Sequence, residues 1–241
     1  MSRLTIMPIF AHPDDESFAG TGSLIKYIRE GVRAVLVCGT RGERGKPGEP
    51  PVCTPAELPA VREQEMRAAA AVLGIDEVRF LGYRDKELPD ANVAEAVGRI
   101  VRIIREVRPH VLYTFPPDGH SGHPDHVAIN KLAGIAFRAA GDAAAYPEAG
   151  PAWQPAYLFW HIREGMTPEP ANAEISAPGV VETVAAALQS HRTQHLSIER
   201  VFRHYDVAFM KEWFEHDRWH LADAAVPRPA GMMHDLFAGV R

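Results

Sequence analysis

The chain has 241 residues, of which 46% are hydrophobic, 24% charged and 8% aromatic, and its formal net charge is -5. That length accommodates one large domain with a full core, or two small ones. Acids and bases are interspersed, which leaves no basic stripe for nucleic acid, and no run of about 18 apolar residues offers a membrane span.

The opening MSRLTIMPIF is broken by Pro8 and has no small-residue cleavage site, so it reads poorly as a signal peptide. Cys38 and Cys53 fall in no CxxC or zinc-ribbon spacing; free thiols in a reducing cytoplasm are expected.

In chain order, LTIMPIF at residues 4–10 reads as a buried strand, with HPDDE directly after it. SFAGTGSLIKYIREG carries Phe18, Leu24, Ile25 and Ile28 at helical spacing and stops at Gly31. VRAVLVC, residues 32–38, is a second strand leading into the glycine-rich loop GTRGERGKPGEPP. TPAELPAVREQEMRAAAAVLG reads as a helix closed by Gly74, followed by a short strand, VRFLG. The helix NVAEAVGRIVRIIREVRP and the strand VLYTF, ending at Phe115, come next. Strands alternating with helices predict a Rossmann-like α/β fold, its sheet mostly parallel with helices on both faces.

From about residue 141 the text changes. GDAAAYPEAGPAWQPAY suggests a surface excursion or a lid-like loop. LFWHI and AEISA are expected strands, VVETVAAALQSHRTQ a helix, and the stretch from Ser197 to His220 further helix. The division expected is a single domain with a less regular C-terminal third.

One tripeptide occurs twice. FAHPDDESFAG spans residues 10–20, and GHSGHPDHVAIN spans residues 119–130. Each follows a predicted strand, and ligands of open α/β sheets bind at the carboxyl ends of strands. Proline opens a turn, and residues i and i+3 of such a turn lie on one side. His12 is thereby paired with Asp15, and His123 with His126. Two imidazoles and a carboxylate make an open site for Zn²⁺ with a position left for water; Fe²⁺ or Co²⁺ would suit the same donors. Asp14 and Asp125 lie off those faces, free to move a proton or to orient an imidazole. Spacing alone does not say whether His123 or His126 is the ligand. Either motif singly is compatible with an ordinary N-cap or turn; both at strand ends favour a joint site.

AHPDDE and GHPDHV together resemble the PIG-L/LmbE-like family of zinc-dependent N-acetylglucosaminyl deacetylases, well over residues 4–131 and more thinly at SHRTQ, 190–194. The resemblance implies that His12, Asp15 and His126 ligate zinc and that Asp14 is general base and then acid. It also implies a cationic His123 that stabilises the oxyanion, its ring held by Asp125. For substrate binding it points to Arg62 in VREQE and Asp85 in LGYRDKEL. Arg84 and Lys86 depart from the family's Pro and Gly, and Ser121 stands where some members carry an aromatic hydroxyl. In these terms residues 1–241 form one deacetylase-like domain. Residues 1–140 are the α/β core with the metal site, and residues 141–241 are an elaboration that completes the substrate pocket.

Other signals carry less. GTGSLI has Ile25 where a dinucleotide fingerprint needs its third glycine, and GTRGERGKPGEPP lacks the GK[ST] ending of a phosphate loop. That loop is expected to be mobile at the site rim, reaching substrate through Glu43 or Arg44. His216 and His220 have helical i,i+4 spacing without an HExxH glutamate and read as a solvated face. Ser190 and His191 lack a GxSxG elbow, and His191 with Gln194 resembles the family's HxxQ-like element. The expected function is metal-dependent removal of acetyl from an N-acetylglucosaminyl conjugate, as in low-molecular-weight thiol synthesis. The alternatives are hydrolysis of another amide or ester, or a non-catalytic sugar- or metal-binding protein. The expected partner is a small glycoconjugate, with no nucleic acid or membrane; a homo-oligomer is allowed.

Overall fold

In a computed structural model, residues 3–163, 165, 167–202 and 206–240 are described. A seven-stranded sheet is built from β1 (Thr5–Phe10), β2 (Arg33–Thr40), β3 (Glu77–Tyr83), β4 (Val111–Thr114), β5 (Tyr157–Ile162), β6 (Ala173–Ser176) and β7 (His216–Ala224). Their spatial order is β3-β2-β1-β4-β5-β7-β6. The first five run parallel, while β7 is antiparallel to both β5 and β6. The chain is therefore α/β and mostly parallel. β1 is buried at every position, as a strand covered on both faces must be.

The sheet's order fixes where a site can form. From β1 the chain steps to β2 and β3 on one side, then returns to β4 on the other. β1 and β4 are hydrogen-bonded neighbours, in the register Ile6↔Val111 and Met7↔Leu112. Their carboxyl ends flank the topological switch point, where open α/β sheets hold ligands. The two His-Pro-Asp stretches leave from those ends.

Helices α1 (Asp15–Phe18), α2 (Thr21–Arg29) and α3 (Leu58–Leu73) precede α4 (Val93–Val107) and α5 (Pro124–Gly141) along the chain. After them come α6 (Val181–Ser190), α7 (His195–Phe202) and α8 (Val207–Phe214). α4 packs on α5 over one face, and α3 on α6 with α2 beside them over the other. The periodic sequence of α4 buries Val97, Ile100, Val101 and Ile104, and Asn92 caps its start by accepting from the Glu95 amide at 3.1 Å. No helix of the described residues is long and apolar enough to cross a membrane.

The structure differs from the sequence reading in three places and decides between its alternatives in a fourth. The helix expected over residues 17–31 is split into α1 and α2 by Gly20, at φ +67°; a Cβ there would lie 2.2 Å from the Trp219 ring. The GTG glycines thus serve close packing. α5, which the second HPD opens, was not foreseen. The helical reading of residues 197–220 ends at Phe214, residues 203–205 lying outside the described ones, and β7 follows. Asp217, Trp219 and Leu221 face inward along it with period two. His216 and His220 are hence on a strand, roughly 13 Å apart at ~3.3 Å per residue, and form no metal pair.

The fourth concerns the Ala/Pro/Gly-rich segment, which is the surface excursion of the two alternatives and not the lid-like loop. The buried Arg105 guanidinium donates to the carbonyls of Ala139, Ala140, Asp142, Ala145, Tyr146 and Gly150 at 2.7–3.2 Å. Trp153 donates to the Pro109 carbonyl at 2.7 Å, which ties the segment to the amino ends of β4 and β5, opposite the switch point.

Candidate active site

A cavity of about 690 Å³ opens at the carboxyl ends of β1 and β4. His12, Asp14, Asp15, His123 and His126 all line it, so the structure brings both stretches to one place.

His12 and His126 are each fixed by an outer hydrogen bond. His12 Nε2 lies 2.9 Å from Asp125 Oδ2 and 3.3 Å from Asp85 Oδ1, so it donates outward. His126 Nδ1 lies 3.0 Å from the Gly119 carbonyl and likewise donates, and its ring stacks on Phe115 at 4.1 Å. With those protons placed, His12 Nδ1 and His126 Nε2 turn their lone pairs toward each other at 3.2 Å. Asp15 completes the triangle, with oxygens 3.7 Å from His12 Nδ1 and 3.4 Å from His126 Nε2. Two lone pairs and a carboxylate this close repel unless a positive charge lies among them. A tetrahedral ion with bonds of ~2.0–2.1 Å has ligand atoms roughly 3.3–3.4 Å apart, so the donor set fits a cation of zinc's size. The outer partners are the carboxylate and carbonyl that metal-bound imidazoles commonly carry.

Electrostatics point the same way. Burial opposes charge on His12, but the hydrogen bonds to Asp125 and Asp85, with the charge of Asp15, raise its pKa to about 10. Burial would raise Asp15, yet His126 and His12 hold it well below the usual carboxylate range. The centre favours positive charge. Asp15 meets the two imidazoles through different oxygens, Oδ2 toward His12 and Oδ1 toward His126, whereas two groupings, His12 with His123 and His126, and His12 with Asp85 and Asp125, bring one ligand atom from each residue within 4.8 Å of one another. The second surrounds the His12 nitrogen that faces outward. In the first, His123 Nδ1 already accepts the Asp125 amide at 3.2 Å. The lone pairs converge on the His12–Asp15–His126 set instead.

That amide contact corrects two expectations. Asp125's carboxylate does not hold the His123 ring: it faces His12 and accepts the Lys86 amide at 2.7 Å, and only the backbone of Asp125 reaches His123. Nor does this geometry favour a cationic His123, because its Nδ1 accepts from the Asp125 amide. Burial and the neighbouring His12 and His126 lower its pKa as well. With Nδ1 accepting, Nε2 is the nitrogen of His123 left to donate at the cavity wall.

Asp14 adopts φ +119° and ψ -29°, a backbone region L-residues rarely enter, with strain of order 1–3 kcal/mol. Its amide donates to Glu16 Oε2 at 3.0 Å, and its carboxylate stands 3.4 Å from Arg62 Nη2. Burial pushes its pKa up and Arg62 pulls it back, leaving it at about 6.

The residues expected to bind substrate line the cavity but are also engaged with protein. Arg62, 4% exposed, donates to the carbonyls of Pro13 and Gly42. Asp85 faces His12 and accepts the Arg44 amide at 3.1 Å, while Glu43 accepts the Asp85 amide at 3.0 Å. Glu43 therefore braces Asp85, and Gln194 donates to the Lys46 carbonyl of the same loop at 3.0 Å. Sequence reasoning missed a buried chain beside the site. His120 Nε2 lies 3.3 Å from His161 Nδ1, His161 Nε2 lies 3.3 Å from Asp217 Oδ1, and Asp217 Oδ2 accepts the Ser23 amide at 2.6 Å. Only the buried acid of an otherwise apolar strand face could have flagged it.

A family model described as PIG-L, GlcNAc-PI de-N-acetylase, matches residues 7–137. The chain is 36% identical over 209 residues to the 1D-myo-inositol 2-acetamido-2-deoxy-alpha-D-glucopyranoside deacetylase of Streptomyces scabiei, covering 76% of this chain and 64% of that protein. It is 32% identical over 223 residues to the probable N-acetyl-alpha-D-glucosaminyl L-malate deacetylase 2 of Bacillus anthracis, covering 88% and 92%. The matches span 60–64% of the length of the first curated relatives. In fold, the chain is similar to N,N'-diacetylchitobiose deacetylase from Pyrococcus horikoshii, with TM-score 0.75, 22% identity and coverage of 90% and 83%.

Proposed function

The chain belongs to the PIG-L family of de-N-acetylases, and on that premise we propose that it is a cation-dependent hydrolase that removes acetyl from an N-acetylglucosaminyl conjugate. The observation that carries this reading is the convergence of two imidazole lone pairs and the Asp15 carboxylate, with a second carboxylate, Asp14, beside them and not turned to the same point. His12, Asp15 and His126 would hold a divalent cation, zinc first and Fe²⁺ or Co²⁺ with the same donors, which supplies Lewis acidity and makes water acidic near neutral pH.

The chain's own residues do the rest. Asp14 takes a proton from the attacking water as its oxygen bonds to the amide carbon. His123 donates its Nε2–H to the carbonyl oxygen as that atom becomes anionic, a contribution of about 3–4 kcal/mol where such donors have been removed in other enzymes. Asp14 then gives its proton to the amide nitrogen as the C–N bond breaks, leaving acetate and a free amine. Asp125 and Asp85 keep His12 in the tautomer that faces inward. Arg62 and Asp85 line the same cavity, and we assign both to sugar hydroxyls, Asp85 sharing that duty with its hold on His12. Free Cys38 and Cys53 fit a cytoplasmic setting.

The test is acetate release from N-acetylglucosaminyl-inositol, N-acetylglucosaminyl-malate and diacetylchitobiose, with metal content measured on the same sample. Release should vanish on chelation and return with Zn²⁺. A zinc-loaded protein that releases no acetate from any of them would indicate a binding protein.

A further inference from the structure

Asp14 can act as a base only from its present backbone conformation, and something must keep it there. For an L-residue φ +119° is unfavourable, and relaxation to negative φ would redirect the Cα–Cβ bond and swing the carboxylate away from the centre. The Asp14 amide makes one hydrogen bond, to Glu16 Oε2 at 3.0 Å. The other oxygen of Glu16 accepts from Ser17 Oγ and from His191 Nε2, each at 2.7 Å. Glu16 and His191 are both 0% exposed. A buried acid–imidazole pair is an expensive way to fill core volume, since apolar residues of similar size would serve stability as well. Here the pair ends on the amide of the strained residue. His191 comes from the end of α6, in the C-terminal third, so the clamp reaches across from the other part of the chain.

We propose that Glu16 and His191 are positioning residues: the pair holds the Asp14 peptide in its left-handed conformation and so aims the carboxylate at the reacting water. This rests on the reading of Asp14 as the base. It gives the HPDDE glutamate and the SHRTQ histidine a shared task.

The test is kinetic. In Glu16→Gln the side chain keeps its shape but offers one acceptor oxygen and an NH₂ to three donors, the Asp14 amide, Ser17 Oγ and His191 Nε2. We expect kcat to fall about 100-fold, the scale of a roughly 1 Å misplacement, with KM and bound metal unchanged. In an Asp14→Asn background the same change should have no further effect, because it acts through the group already removed. His191→Gln, which keeps a donor, should retain most of kcat, whereas His191→Leu should lose it; this pair decides the matter if Glu16→Gln does not fold. Wild-type kcat in Glu16→Gln, an undiminished effect in the double variant, or equal activity of the two His191 variants would overturn the proposal. Full kcat in Asp14→Asn would instead remove the base assignment itself.

Discussion

The two His-Pro-Asp stretches share three residues and almost nothing else. After Pro13 the chain enters a strained conformation at Asp14 and opens a helix of only 4 residues. After Pro124 it runs directly into an 18-residue helix, with His123 at φ -62° and ψ 126° as its N-cap. In the first stretch the histidine turns a lone pair to the centre; in the second it caps the helix, and His126, one turn on, takes that place. The aspartates diverge equally. Asp14 faces the cavity, whereas Asp125 is buried and reaches back to His12. The tripeptide is therefore not a binding unit in itself. Backbone conformation after the proline decides which donor reaches the centre, and each stretch supplies what the other lacks.

The largest expected effect tests the exchange of roles between His123 and His126. His126→Ala should lose both bound metal and activity, while His123→Ala should keep the metal and lose about 10²–10³ in kcat, as for removal of one oxyanion donor. Metal analysis of the two variants checks this, and metal loss in His123→Ala with retention in His126→Ala would reverse the comparison.

The aspartates give the next contrast. Asp14→Asn should lower kcat by about 10²–10⁴ with metal retained. Asp125→Asn should instead weaken metal affinity by about 10–100-fold, as outer partners of metal-bound imidazoles do. Titration with a competing chelator separates the two; equal metal affinity in both variants would mean that Asp125 does not support His12.

The smallest effect lies at His120, three residues before the second His-Pro-Asp. Burial, with His161 and Arg163 nearby, lowers its pKa from 6.5 to about 2. Between those values the unfolded chain binds a proton that the folded one refuses. Its contribution to stability is thus fully present above pH ~6.5 and declines as the pH falls below that. Tm measured from pH 7.5 to 5 should drop less steeply in His120→Phe than in the wild type; identical slopes would show that His120 does not titrate as described.

Much of this was legible because it is local or periodic. The apolar run of β1, the 3.6-residue pattern of α4, and proline after each histidine are all signals within one segment. What escaped depends on partners far along the chain. Asp125 was expected to serve its neighbour His123, but its carboxylate meets His12, 113 residues away. β7 was hidden because one of its inward positions is Asp217, whose partners are His161 and the amide of Ser23, 194 residues away. The excursion after α5 has the composition of a lid, and the carbonyls gathered by Arg105, with the Trp153–Pro109 bond, reveal it as anchored.

Gly20 sits against Trp219, the Ser23 amide ends on Asp217, and Glu16 ends on His191. All three anchors lie beyond residue 137, where the family match stops. A fragment cut there would carry every candidate ligand and base yet leave the HPDDE turn without its backing. The block that the family model recognises is thus shorter than what must fold as one, and the late elements act as the keystone of the early motif.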